Sequence, residues 1–392
     1  MWNRVSFLGA LVVSVLALFL MGACNKADKK APAGEVAPNL VKVWEGDIGQ
    51  EIHTTPFLAG DRLIVPSNQG EVFALDIATG KIAWKFKPTS ADLRTRTGSS
   101  DGKLVFFGLL GGGLTALNIN TGEPIWTVNL GINVRKPPVV DNGLLYVPTT
   151  FIVPGVVSDI AGKAKLFVLE AATGKIHNEI TTDNFSLTAP AIENGIIYLS
   201  GSYHDPEYSR DEGGPQRTYA IDPAQGNKIL WTYTNGHGYP KTVIAKNGYV
   251  SLIGYEDIVS TLDAKTGLLK WKKKTGNWVH SLGYDDGRIY YAPANKKIFS
   301  VDQKTGETIW FYALQFPRIL SYIIGRPVVA NDKVYWINRD SLEFGILDKA
   351  TGQLIFKAQT PLVTASQAMP VINGTMAYLS GLDGKIFAYD MK

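Results

Sequence analysis

The chain has 392 residues, 45% of them hydrophobic and 19% charged, with a formal net charge of +4. That balance belongs to a folded globular protein, and without a basic stripe or an acidic tail it gives no footing for a phosphate-neutralising nucleic-acid surface. The single cysteine, Cys24, excludes an intramolecular disulfide, a thiolate zinc cluster and a C-x-x-C-H haem attachment, so the fold must stand on its apolar core.

From the N-terminus, Arg4 supplies a short positive segment, and residues 7–20 are apolar or small apart from Ser14. This run is short for a membrane span, which needs about 20 residues, and it suits the core of a secretory signal. Met21-Gly22-Ala23-Cys24 follows directly and resembles a bacterial lipobox, with Met21 where leucine is usual. The expectation is a signal peptide over 1–23, removed ahead of a Cys24 that carries acyl chains (palmitate among them). The plain alternative is an ordinary secretory signal with an incidental cysteine. Residues 24–40 are small, charged and proline-containing with no apolar period, which predicts a flexible tether.

Beyond residue 40 the chain repeats itself. Ala74-Leu-Asp76-Ile-Ala-Thr79-Gly80-Lys81-Ile-Ala-Trp84 recurs as Ala116-Leu-Asn118-Ile-Asn-Thr121-Gly122-Glu-Pro-Ile-Trp126. Further copies end at Trp271 and Trp310, and degenerate ones lie at 168–178 (no Trp), 220–231 (one residue inserted, Trp231) and 346–356 (Phe356 for Trp). Ahead of each copy, a turn such as Asn142-Gly143, Asn194-Gly195 or Asp286-Gly287 opens a β-branched or aromatic run. Asn-Gly and Asp-Gly supply the positive φ of tight hairpin turns. Each unit therefore reads as four short antiparallel strands with no helix between them. Eight such runs are found, and the last copy stops at Asp390-Met-Lys, lacking its Trp strand. Residues 41–45, with Trp44, form the unmatched strand at the other end. Pairing the two ends predicts an all-β, single eight-bladed β-propeller over 41–392, a closed ring without a free sheet edge.

In the Asp-x-x-Thr-Gly turn, the Asp or Asn side chain can accept backbone N–H groups while Gly takes the left-handed conformation. The following Trp offers a flat apolar surface and one N–H to the next blade. Trp44, Trp84, Trp126, Trp231, Trp271 and Trp310 fill this slot, six of the nine tryptophans, and are expected to be structural. The pattern resembles the tryptophan-docking motif of pyrroloquinoline-quinone-type propellers and covers residues 41–392.

Connections in a four-stranded blade alternate between the two faces of a propeller. The Asn-Gly and Asp-x-x-Thr-Gly turns therefore share one face. The long segments 149–163, 201–217, 313–326 and 361–369 share the other, which is the expected partner-facing side. Within it, Tyr203, His204 and Arg210 lie in a loop rich in charge. The same loop holds four acids within nine residues, but without the converging spacing of a calcium loop. Phe316, Arg318 and Tyr322 lie in an aromatic stretch of hot-spot composition, part of which is expected to form the inner strand of the seventh blade. His53, His177, His237 and His280 are scattered, with no Ser/His/Asp order and no His-x-x-x-His pair. Gly111-Gly112-Gly113 precedes no helix, so no phosphate loop is read. No catalytic, cofactor or metal residue is expected.

With a lipidated N-terminus and this length, the chain is similar to the BamB family of barrel-assembly lipoproteins. That resemblance implies a monomeric, non-enzymatic scaffold at the outer membrane, facing the periplasm, which binds a protein partner in assembling β-barrel proteins. Asn25 after the cysteine fits outer-membrane sorting in that family. The family's partner-contacting segments carry a Leu-x-Leu-Arg stretch that has no clean copy here, so no contact residues carry over. Two alternatives remain: a surface lipoprotein that binds a ligand or glycan through the loop face, and a quinoprotein dehydrogenase. Dehydrogenases of this repeat type are larger and often carry an adjacent Cys pair, which a single cysteine cannot supply.

Overall fold

Tight turns set the strands. Asn142-Gly143, Asn194-Gly195, Asn247-Gly248 and Asp286-Gly287 all have positive φ at both residues, the pairing that matches the right-handed twist of a hairpin. In the first repeat, Phe57–Ala59, Arg62–Pro66, Val72–Asp76 and Ile82–Phe86 form one antiparallel sheet in chain order. The same arrangement recurs to give eight sheets, the blades of a propeller, numbered here 1 to 8 from that repeat. The computed structural model describes residues 40–392 except 89–97, 110, 151–162, 204–214, 238–240, 255–256, 295–296, 315–325, 339–340 and 363–367.

The core lies between blades. Ile64 and Ala74 of blade 1 pack with Val105, Phe107 and Leu117 of blade 2, and Trp84 is caught between them. Second and third strands are therefore buried on both faces, as in Arg62–Pro66 and Val72–Asp76, rather than on alternate residues. Fourth strands are mostly exposed, with the docking residue turned inward. First strands are half-buried, because they line the central channel.

The ring closes as the repeat requires. Val41–Asp47 is the fourth strand of blade 8, antiparallel to Lys385–Asp390, with Val41 opposite Asp390, Trp44 opposite Ala388 and Asp47 opposite Lys385. Trp44 leans on Tyr378 of the same blade, ring centroids 5.7 Å apart. An exposed Lys385–Glu45 ion pair at 3.5 Å adds little across this seam. The seam rests on the strand ladder and the buried indole.

Two details depart from a simple repeat. In blade 4, Ile196–Tyr203 is long enough for its first half to pair with Ala191–Glu193 and its second half with Asn184–Leu187. The latter strand comes from the link out of blade 3. Thr150 bridges Asn133 and Ser186, tying the same link to blades 2 and 3. In blade 7 the innermost strand is Val328–Ala330. It begins after the 313–326 segment, so the expectation that part of that stretch forms the innermost strand is corrected; Phe316, Arg318 and Tyr322 themselves lie outside the described residues. The positive-φ pair Asn331-Asp332 makes the hairpin turn, and a tight turn fixes the paired strand immediately before it.

Trp44 is 8% exposed, whereas Trp278 lies outside the docking set at 66%. Trp44→Ala is expected to lower stability in urea by about 3–4 kcal/mol, while Trp278→Ala stays within about 0.5 kcal/mol. Comparable losses from the two substitutions would contradict the seam.

Candidate interaction face

The rigidity of any binding face depends on the blade joints. Each docking indole donates its N–H to a carbonyl of the next blade. The pairs are Trp44 to Ile77 (2.9 Å), Trp84 to Ile119 (2.8 Å), Trp126 to Ala171 (3.1 Å), Trp231 to Ala264 (2.8 Å), Trp271 to Gln303 (2.8 Å) and Trp310 to Lys349 (2.9 Å). The ring plane covers the turn glycine of that next blade. A Cβ placed on Gly122, Gly306 or Gly352 would lie 2.5 Å from the indole of Trp84, Trp271 or Trp310. These glycines are needed twice, for their positive φ and for the absence of a side chain under the indole.

The turn is built by its first residue. Asp76 Oδ1 accepts from the Ala78 and Thr79 backbone N–H groups (3.1 and 2.9 Å) and from the Thr79 hydroxyl (2.9 Å). The Thr79 hydroxyl bond chiefly holds the Asp76 carboxyl below its ordinary range. Asn118 accepts the same two backbone bonds with an amide oxygen, at 2.8 and 3.2 Å.

Two joints lack tryptophan. Between blades 3 and 4, Asn178 and Asn227 exchange reciprocal amide hydrogen bonds of 2.6 and 2.9 Å. The residue inserted into the blade 4 turn allows a short 3-10 turn over Pro223–Gln225, which is followed by Gly226 and Asn227 in the left-handed region. Between blades 7 and 8, Phe356 packs on the buried cluster shared by those blades, to which Leu40 and Met391 also add.

The strand order puts hairpin turns on one face, and second-to-third-strand loops with blade links on the other. The family model described as outer membrane protein assembly factor BamB matches residues 41–132, 112–251 and 255–392, nearly the whole ring. The chain belongs to the BamB family. It is 23% identical to the outer membrane protein assembly factor BamB of Moranella endobia (strain PCIT), over 96% of this chain and 99% of that one. The crystal structure of BamB from Moraxella catarrhalis covers 90% of this chain and 100% of its own, with a TM-score of 0.66 at 18% identity, a likeness of fold. A quinone alcohol dehydrogenase subunit of Acetobacter aceti is 23% identical over 74% of this chain but over 44% of its own length.

In this BamB-family ring, Tyr203 ends the second strand of blade 4, its backbone paired with Asn184. His204, Arg210, Phe316, Arg318, Tyr322 and Cys24 lie outside the described residues. No cluster among these residues is therefore described.

A different set of side chains stands out where the blade links enter the first strands, around the channel mouth of the loop-bearing face. Lys136 precedes Val139–Asp141 of blade 3, Lys241 precedes Val243–Lys246 of blade 5, His280 precedes Gly283–Asp285 of blade 6 and Arg326 precedes Val328–Ala330 of blade 7. Burial lowers the pKa of Lys136, helped by the charge of Arg135. Burial also lowers that of Lys241, against the opposing pull of Asp257. Lys241 Nζ donates to the Val279 carbonyl at 2.7 Å. The His280 imidazole is pushed down by burial and by Lys241, and the Asp257 carboxyl is pushed up by burial. Arg326 is exposed. Sequence reading missed this set because each cation, taken alone, looks like a solvated charge. Aligning the repeats on their first strands would have revealed it.

Gly122 and Gly143 share a positive φ, but nothing lies within 4 Å of a Cβ at Gly143. Gly143→Ala is expected to cost about 1 kcal/mol. Gly122→Ala should cost about 3 kcal/mol or more, because the Trp84 indole must also move. Equal unfolding midpoints for the two variants would remove the docking role of Gly122.

Proposed function

We propose that this protein is a non-enzymatic scaffold of outer-membrane β-barrel protein assembly. Acyl chains on Cys24 hold it to the outer membrane, residues 24–40 tether it, and the monomeric propeller faces the periplasm. The loop-bearing face binds a protein partner in the assembly machinery. The family match across residues 41–392 carries this reading. The strand order supports it, because second-to-third-strand loops and blade links leave the sheets on the face opposite the docking turns. A ring with interlocked blades gives such loops fixed relative positions, the common use of loops on a rigid scaffold. The propeller itself needs no cofactor for this work.

Crosslinking in intact envelopes followed by purification should recover barrel-assembly components, and a deletion strain should show reduced levels of outer-membrane porins. Normal porin levels together with no recovered assembly component would overturn the scaffold role. Cys24→Ser should abolish palmitate labelling and release the protein from the membrane fraction. A labelled, membrane-bound Cys24→Ser protein would overturn the anchor.

The likeness to a quinone alcohol dehydrogenase subunit favours a second reading, that of an oxidoreductase. More than half of that relative's length has no counterpart in the alignment with this chain. Purified protein given pyrroloquinoline quinone and calcium should not reduce a dye with alcohols or sugars. Turnover in that assay would establish the second reading over the first.

A further inference from the structure

Charge is sorted between the two faces of blades 5 to 7. Between residues 258 and 339 the chain has six acids, Asp263, Asp285, Asp286, Asp302, Glu307 and Asp332. All six sit in or directly beside a hairpin or docking turn, on the docking face. Lysines gather at the other ends of the same strands. Lys272, Lys273 and Lys274 finish the fourth strand of blade 5, and Lys297 opens the third strand of blade 6. Lys273 turns toward blade 6, its ammonium donating to the Gly306 carbonyl at 2.8 Å. Lys272 and Lys274 alternate with it along the strand and are exposed. The Lys297 ammonium lies 5.1 Å from the ring of exposed Phe311, a cation–π contact that fixes its position. Asp257, just ahead of this stretch, is its counter-charge: burial raises the carboxyl pKa, and Lys241 and Lys274 pull against that rise.

Trp278 stands in the link from blade 5 to blade 6 and is the one exposed tryptophan among the described residues. Its backbone is fixed although its side chain is uncovered. The Trp278 carbonyl accepts from the Ala294 N–H at 3.0 Å, in the second-to-third-strand loop of blade 6. The next residue, Val279, is buried, bridges Pro293 and accepts the Lys241 ammonium at 2.7 Å. Thr275, beside Lys274, donates its N–H to the Asp257 carbonyl at 2.9 Å. These bonds hold the link on the loop-bearing face with the indole in solvent. Lys274 lies four residues before the indole, and Lys297 lies three residues beyond its backbone partner Ala294.

We propose that this corner of the loop-bearing face docks on the surface of an anionic phospholipid bilayer, with the Trp278 indole at headgroup level and Lys272, Lys274 and Lys297 toward the lipid phosphates. An indole suits that depth because its body is apolar and its N–H polar. Lysines suit it because their stems lie along apolar surface while each charge adds attraction to the anionic layer. The placement of the acids on the docking face spares this corner their repulsion. A single projecting ring enters a fluid surface without a matching pocket, which a protein partner would have to supply. One indole and three lysines orient the ring against a bilayer without retaining it, so loss of the acyl chains would still release the protein. The surface goes beyond the assembly role, and it is tested apart from the acyl anchor.

Residues 38–392 form one compact unit containing the closed ring, so binding is measured on that unit, free of the leader and the cysteine. It should sediment with vesicles of equimolar phosphatidylglycerol and phosphatidylethanolamine about tenfold more strongly than with phosphatidylcholine vesicles, and less so as salt rises. Trp278→Ala should weaken the anionic partition about tenfold and Lys272→Gln about fivefold. Brominated phospholipid should quench tryptophan fluorescence in the parent and not in Trp278→Ala, a readout that a merely structural role would leave unmoved. In intact envelopes a photoreactive residue in place of Trp278 should crosslink to phospholipid. No binding to the anionic vesicles, equal binding to both kinds, or undiminished partition of Trp278→Ala would overturn the surface. Crosslinking from position 278 to a protein alone would overturn the bilayer as its occupant.

Discussion

One contact organises the molecule: an indole seated on the bare backbone of a left-handed glycine in the neighbouring blade. The flat ring replaces water over a turn that must be glycine for its φ, and the indole N–H satisfies a carbonyl beside it. Each blade has both faces of its middle strands buried by neighbours, so a lone blade would expose most of its core. Stability is consequently cooperative around the ring. The docking contacts fix the angle between blades that burial alone would leave free.

Closure makes the same contact serve the chain ends. Trp44 belongs to blade 8 by hydrogen bonding and to blade 1 by docking, so one residue joins the first and last segments of the propeller. The two joints without tryptophan show what the contact must accomplish. At Asn178 the apolar surface is traded for a reciprocal amide pair, and at Phe356 the hydrogen bond is lost while the packing remains. A ring held this way tolerates variation in its links. Blade links and second-to-third-strand loops leave from the face that plays no part in docking, so their length can vary without disturbing the joints.

Much of the architecture was legible because it repeats. The Asp-x-x-Thr-Gly turn and its Trp are local signals, and seven copies at steps between 39 and 52 residues leave little freedom in fold class. The unmatched Trp44 strand revealed the closure. What escaped notice depends on relations across blades. Asn178 looked like a lost tryptophan, and its pairing with Asn227 becomes visible only when the inserted residue of blade 4 is folded into its turn. The inner strand of blade 7 was sought too early, because the apolar stretch around Phe316 outweighed the Asn331-Asp332 turn that fixes it. Lys136, Lys241 and Arg326 are far apart in sequence and unremarkable singly, but each stands just ahead of the first strand of its blade. The loop residues chosen by composition, His204 to Tyr322, had no repeat to position them.

Hydrogen exchange followed by mass spectrometry tests the closed ring most directly. If one cooperative sheet unites the two ends, amides of Val41–Asp47 that bond to Lys385–Asp390 should exchange as slowly as those of interior strands, through global opening alone. Rapid exchange across 41–47 beside slow exchange in 385–390 would mean a frayed end, an open ring and a different account of how this protein holds its loops.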